Sequence, residues 1–232
     1  MHKDKCLAII PARGGSKRIP RKNIKLFLGK PIIQYSIDVA QSANLFNEIM
    51  VSTEDKEIAA VAESCGAVVP FFRSEQTSND YATIGDVIEE VILEYKNRGC
   101  EFKYFCCILA TAPFVTANRL TQTFDLLKKT GADSVVPVTR FSYPIQRALK
   151  IEDEKLKMFW PENYSKRSQD LTPAYHDCGQ FFWMRVDSFL EQKTVFAKNT
   201  IPFEIPETEV QDIDTLEDWK IAEFKYKIIH NI

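Results

Sequence analysis

Short apolar runs alternate with segments of helical period along the first 140 residues, and this alternation limits the folds open to the chain. The runs Cys6–Pro11, Glu48–Ser52, 67–70, 104–109 and 134–139 read as buried strands. Between them, Ile32, Ile33, Tyr35, Ser36, Ile37 and Ala40 follow Pro31, a residue suited to the start of a helix. Ile58, Val61, Ala62 and Cys65 keep the i, i+3, i+4, i+7 spacing of a helix with one buried face, and Gly66 is placed to end it. Ile84, Val87, Ile88, Val91, Ile92 and Tyr95 make the clearest amphipathic helix, and Thr116 is placed to cap another over 116–129. Strands and helices alternating in this way predict an α/β fold with a mostly parallel sheet covered on both faces.

The pattern breaks over 140–178, a polar and irregular stretch that carries Phe141, Tyr143, Phe159, Trp160 and Tyr164. A segment this long without clear helix or strand implies an arm that packs on a second subunit or covers a site. A strand over 180–184 and a closing helix over 215–227, with Thr215 and Asp218 as its capping box, then return to the sheet. No repeat or linker interrupts the chain, so 1–232 reads as one domain with 140–178 inserted as an arm, and as a homodimer through that arm.

Composition narrows the function classes. The chain is 45% hydrophobic and 27% charged, as in an ordinary soluble protein, and no apolar run nears a membrane span or a signal peptide. Its 30 basic and 32 acidic residues nearly cancel, which argues against a nucleic-acid partner, and without a long apolar run no membrane partner is expected. Six cysteines form no C-x-x-C pair, and Cys6, Cys106 and Cys107 fall in strand-like runs, so they are expected to be reduced, in a cytoplasmic protein.

Against that neutral background, the segment after the first strand is strongly cationic. Arg13, Lys17, Arg18, Arg21 and Lys22 surround the pair Gly14-Gly15 and Ser16. Glycines let backbone N–H groups approach an anion, and Arg and Lys neutralise it. A phosphate-rich ligand fits such a loop at the carboxyl end of a strand. The loop is neither a P-loop nor a G-x-G-x-x-G turn. A solvated basic loop is the plainer alternative.

A second constellation lies at Asp212-Ile213-Asp214. In extended backbone, residues i and i+2 face the same way, so the two carboxylates suit Mg²⁺, which takes one or two protein carboxylates with phosphate oxygens and water. The alternative is that they only decorate a helix N-terminus. His176, beside Asp177, reads as a general base or as a positioning residue, while His2 and His230 are expected at mobile ends and read as inert.

The run from Ile10 to Asn23 resembles the nucleotide-binding signature of the CMP-sialic acid synthetase family nearly residue by residue. Ser52-Thr53-Glu54-Asp55, Thr111-Ala112-Pro113 and Asp212-Ile213-Asp214 follow in the expected order, so the resemblance covers most of the chain. It implies a single Rossmann-like α/β domain of the nucleotide-diphospho-sugar transferase type, with a protruding dimerisation arm. The implied activity joins CTP to a nine-carbon α-keto acid sugar with Mg²⁺. Arg13 and Lys17, with the N–H groups of Gly14 and Gly15, would hold the triphosphate, Ala12 and Ser16 would also bind the nucleotide, Lys22 would lie near the reacting phosphorus, and Asn23, Arg73 and Ser78 would line the cytidine side. Asp212 and Asp214 would hold the metal, Asp214 also taking a proton, and Arg147, Gln169, His176, Asp177 and Gln180 would grip the sugar.

Within the family the chain is most similar to the pseudaminic acid branch, through 110–114, 143–149, 168–171 and 174–181. Sialic acid enzymes typically carry L-Q-P-T-S-P where this chain has Ile108-Leu109-Ala110-Thr111-Ala112-Pro113, and the usual glycine after Lys17 is here Arg18. N-acetylneuraminate and legionaminate remain alternative substrates. A glycosyltransferase with an Asp-x-Asp metal site, or a non-catalytic nucleotide-binding module, would be of a different class.

Overall fold

The computed structural model describes residues 4–232. Strand β1 (Cys6–Pro11) leads into the cationic loop, a 3-10 turn at Lys22–Ile24, the short antiparallel pair β2 (Leu26–Phe27) and β3 (Lys30–Pro31), and helix α1 (Ile32–Ala43). Then follow β4 (Glu48–Ser52), α2 (Lys56–Ser64), α3 (Glu75–Ser78), α4 (Ile84–Asn97), β5 (Tyr104–Ile108), α5 (Ala117–Thr130) and β6 (Ser134–Arg140). The rest comprises β7 (Leu149–Glu152), β8 (Lys155–Met158), β9 (Tyr175–Asp177), β10 (Phe181–Arg185), α6 (Val186–Gln192), β11 (Thr200–Glu204) and α7 (Leu216–His230).

The main sheet runs β11-β6-β10-β5-β1-β4, with β9 added on β6. β1 is parallel to β4 and β5, and β11 to β6, whereas β10 lies antiparallel between β5 and β6. The period-2 alternation of the central strands divides the core in two. Cys6, Ala8, Ile10, Cys106 and Ile108 pack with α1, α2 and α5 on one face, and Leu7, Ile9, Phe105 and Cys107 pack with α4 and α6 on the other. Neighbouring Cys106 and Cys107 are both fully buried, one in each half.

A third apolar cluster matters most for function. Ile19 of the cationic loop, Phe27, Tyr35, Ile213 and Trp219 pack together, with the Phe27 and Trp219 rings 5.6 Å apart. Ile213 is 0% exposed. Burying it pins Asp212 and Asp214, on either side of it, to the same anchor that holds the cationic loop.

Three expectations need correction. The run 67–70 makes a single bridge, Met50 to Val68, rather than a strand, since Pro70 cannot extend the ladder. The arm 140–178 is not devoid of regular structure: β7 and β8 form a hairpin, and β9 rejoins the sheet through β6. His230 is no loose end, for it closes α7 with its ring stacked on Tyr226 at 4.0 Å. His2 lies outside the described residues. Thr116 and Thr215 cap α5 and α7, the latter with the full capping box to Asp218. No helix among the described residues is long and apolar enough to cross a membrane.

Candidate active site

A cleft of about 340 Å³ opens where β1 and β5 end. Arg13, Ser16, Lys17, Arg18, Lys22 and Asn23 form one wall, Arg73, Asn79, Asp80 and Thr83 another, and Leu109, Ala110 and Thr111 the floor, with Asp214 at the edge. The carboxyl ends of parallel strands are where open α/β sheets bind ligands.

The loop after β1 is held by the strand ends beneath it. Asn23 is buried and donates through Nδ2 to the Arg13 carbonyl at 2.9 Å, fixing the loop's width. Gly14 N–H donates to Glu54 Oε1 at 2.7 Å, so this donor, expected to face phosphate, is engaged by the protein itself. A Cβ at Gly14 would meet Asp55 Oδ2 at 2.5 Å, so a larger residue there would have to displace the Asp55 carboxylate, whereas Gly15 has open space around it. Asp55 in turn caps α2 and receives Arg21, whose hydrogen bond holds the Asp55 carboxyl down at about 2. Arg21 is thus tied to α2, and it lines no part of the cleft.

Arg73 lies on the opposite wall, 8% exposed, with Nε on Ser52 Oγ at 3.1 Å and Nη2 on the Ser52 carbonyl at 2.6 Å. Burial lowers its pKa, while the Glu54 and Glu90 charges support the guanidinium. Glu54 Oε2 is buried without a hydrogen-bond partner among the described residues, so this carboxylate serves Gly14 through one oxygen and Arg73 through its charge.

Across the cleft the loop cations meet two carboxylates. Arg18 pairs with Asp214 Oδ1 at 2.8 Å, and Lys22 Nζ donates to the Ile213 carbonyl at 2.7 Å and lies 3.5 Å from Asp214 Oδ1. Arg13 Nη1 lies 3.0 Å from Asp80 Oδ1, and Lys17 pairs with Oδ2 of the same residue. Loss of hydration and the Asp214 charge together push the Asp212 carboxyl up from its ordinary value. A Cβ on Gly179 would lie 3.6 Å from Asp212 Cγ, which places Asp212 beside the turn before β10.

The remaining sequence candidates separate. Ser78 does not line the cleft; its hydroxyl donates to the Ser74 carbonyl at 2.5 Å, and its neighbours Thr77 and Asn79 line the wall. Asp177 and Gln180 line a second cavity of about 390 Å³ that shares Thr83, Ile84 and Leu109 with the first. Gln180 is 3% exposed, held by an Nε2 bond to the Glu209 carbonyl at 2.6 Å. Gln169 lines a groove of the arm, and Arg147 and His176 are also on the arm, the latter exposed with its ring 4.7 Å from that of Phe141. Nothing local in the sequence marks Asp80, and the motif that contains Glu54 gives it no role, because their partners lie 67 and 40 residues away.

These features can be set beside known proteins. A family model described as cytidylyltransferase matches residues 7–204. The chain is 42% identical over 227 residues to the pseudaminic acid cytidylyltransferase of Campylobacter jejuni, covering 97% of this chain and 98% of that one. It is 32% identical over 224 residues to the CMP-N,N'-diacetyllegionaminic acid synthase of Legionella pneumophila, covering 94% of each. Its fold is similar to that of CMP:2-keto-3-deoxy-manno-octonic acid synthetase, solved in complex with CTP, at a TM-score of 0.70 over 98% of this chain, with 16% identity. With a glycine loop set on the end of β1, matched through to β11, the chain belongs to the cytidylyltransferase family.

Proposed function

We propose that the protein transfers CMP from CTP to pseudaminic acid, releasing pyrophosphate. The observation that supports this most is the single cleft in which loop cations and the Asp214 carboxylate face each other over the ends of β1 and β5, in a chain 42% identical to an enzyme of that name. The sugar's anomeric hydroxyl attacks the α-phosphorus, the bond from that phosphorus to the β-bridging oxygen breaks, and pyrophosphate leaves as the CMP–sugar bond forms. Positioning and charge neutralisation supply most of the acceleration in such transfers. Arg13, Lys17 and the Gly15 N–H hold the triphosphate, Lys22 approaches the reacting phosphate, and Asp214 takes the hydroxyl proton. Arg73 and Asn23 face the cytidine. Turnover of CTP against a panel of nine-carbon α-keto acids tests this reading.

Asp212 and Asp214 would hold Mg²⁺ between two carboxylates: burial and then the Asp214 charge push the Asp212 carboxyl up, and a bound cation would offset both. Bound there, Mg²⁺ supplies charge neutralisation on the phosphates. Asp212→Asn and Asp214→Asn are each expected to shift Mg²⁺ activation to higher concentration, because the amide keeps the shape and drops the charge. Titrations that overlay wild type would leave both residues as helix decoration.

We infer further that the chain is one catalytic domain spanning 1–232, in a cytoplasmic homodimer paired through the arm. Ile151 is 79%, Leu156 70% and Tyr164 74% exposed, an apolar surface that a second copy would cover. Light scattering at micromolar concentration is expected to give twice the chain mass, and a monomer would reject the pairing.

A further inference from the structure

The segment between α3 and α4 carries a carboxylate that the reaction described above does not use. Asp80 receives Arg13 Nη1 at 3.0 Å on one oxygen and Lys17 Nζ on the other, bridging the two cations. It lines the same cleft as they do. The rest of its segment is fixed without it. Asn79 Oδ1 accepts from the N–H groups of Tyr81 at 2.8 Å and Ala82 at 3.0 Å, Thr83 caps α4, and Ser74 N–H donates to Glu90 Oε1 at 2.7 Å. The bonds of the Asp80 side chain therefore reach across the cleft and contribute little to its own turn. Tyr81, next to it, is 94% exposed, so its ring adds no packing that would hold Asp80 in place.

A carboxylate and a phosphate present the same kind of oxygen to a guanidinium or an ammonium, and neither cation can bond fully to both at once. We propose that Asp80 is an internal anion that competes with the nucleotide's phosphates, and with departing pyrophosphate, for Arg13 and Lys17. The proposal rests on the reading that these two cations hold phosphate. Arriving triphosphate takes the place of the Asp80 carboxylate. When pyrophosphate has formed, the return of Asp80 to the same cations favours its release. Ion pairs as exposed as these are weak, which suits a competitor that must yield to a polyanion.

Equilibrium titration with inorganic pyrophosphate and with tripolyphosphate, at fixed ionic strength, tests this on the full chain without any turnover. Asp80→Asn is expected to bind both about three- to tenfold more tightly than wild type, as is Asp80→Ser, since each removes the competing charge. Lys17→Ala is expected to bind both more weakly. If the Asp80 variants bind equally or more weakly while Lys17→Ala still loses affinity, Asp80 positions the cations or does nothing, and the competition is overturned alone. If Lys17→Ala binds as wild type does, the phosphate reading falls and the competition falls with it.

Discussion

N-acetylneuraminate is expected to be used about 10⁴-fold less efficiently than pseudaminic acid, measured as kcat/KM at saturating CTP. The two sugars differ in configuration and in carrying an amide where the commoner acid has a hydroxyl. Discrimination on that scale needs buried polar groups that the wrong sugar leaves unpaired, since a missing methylene rarely yields more than about 200-fold. The cavity beside the cleft offers one such group: the buried Gln180 stands beside Val136, Pro137 and Phe181, with the exposed Asp177 at the same cavity. The bond from Gln180 to the Glu209 carbonyl keeps its amide from turning to suit another pattern. Leu109 and Ala110, in the cleft floor, stand where the sialic acid enzymes typically place glutamine and proline. Equal kcat/KM for the two acids would reject the branch while leaving cytidylyl transfer standing.

Lys17→Ala is expected to lose about 10²–10³ in kcat/KM and keep its fold, as removal of one preorganised contact to developing charge typically does. The Lys17 side chain is 78% exposed and pairs with the half-exposed Asp80, so it contributes nothing to the core. Exposed pairs of this kind contribute little to stability, and the thermal midpoint should hardly move. Near wild-type turnover in this variant would remove the triphosphate assignment from the loop. A variant that fails to melt cooperatively would contradict the claim that the lysine is free of structural duty.

How far this was legible in the sequence depended on the range of the interactions. β1 and β5 were plain because an uninterrupted apolar run needs both faces covered, and Cys106 and Cys107 duly fall on opposite faces. Strand direction was not, and β10 runs antiparallel where the alternation implied a parallel neighbour. β11 carries Pro202, which reads against a strand but is tolerated at the sheet edge where β11 lies. The β7–β8 hairpin turns through Asp153 and Glu154, both at positive φ, 53° and 58°, without the Asn-Gly or Asp-Gly signal that marks such turns. In the site, the loop cations were readable because they are local, and Arg13, Lys17, Arg18 and Lys22 line the cleft, whereas of the paired aspartates only Asp214 does. The seating of Gly14 on Glu54 and the bridge from Asp80 to Arg13 were not readable, because only the folded chain brings those partners together.

The central claim is that CMP, and not a sugar, leaves the nucleotide donor, and CTP labelled at the α-phosphorus tests it most directly. Incubated with the protein, Mg²⁺ and pseudaminic acid, the label is predicted to appear in a CMP–sugar product, with one unlabelled pyrophosphate released for each. Label that remains in CTP, together with turnover of a nucleoside-diphosphate sugar by the same preparation, would contradict the account.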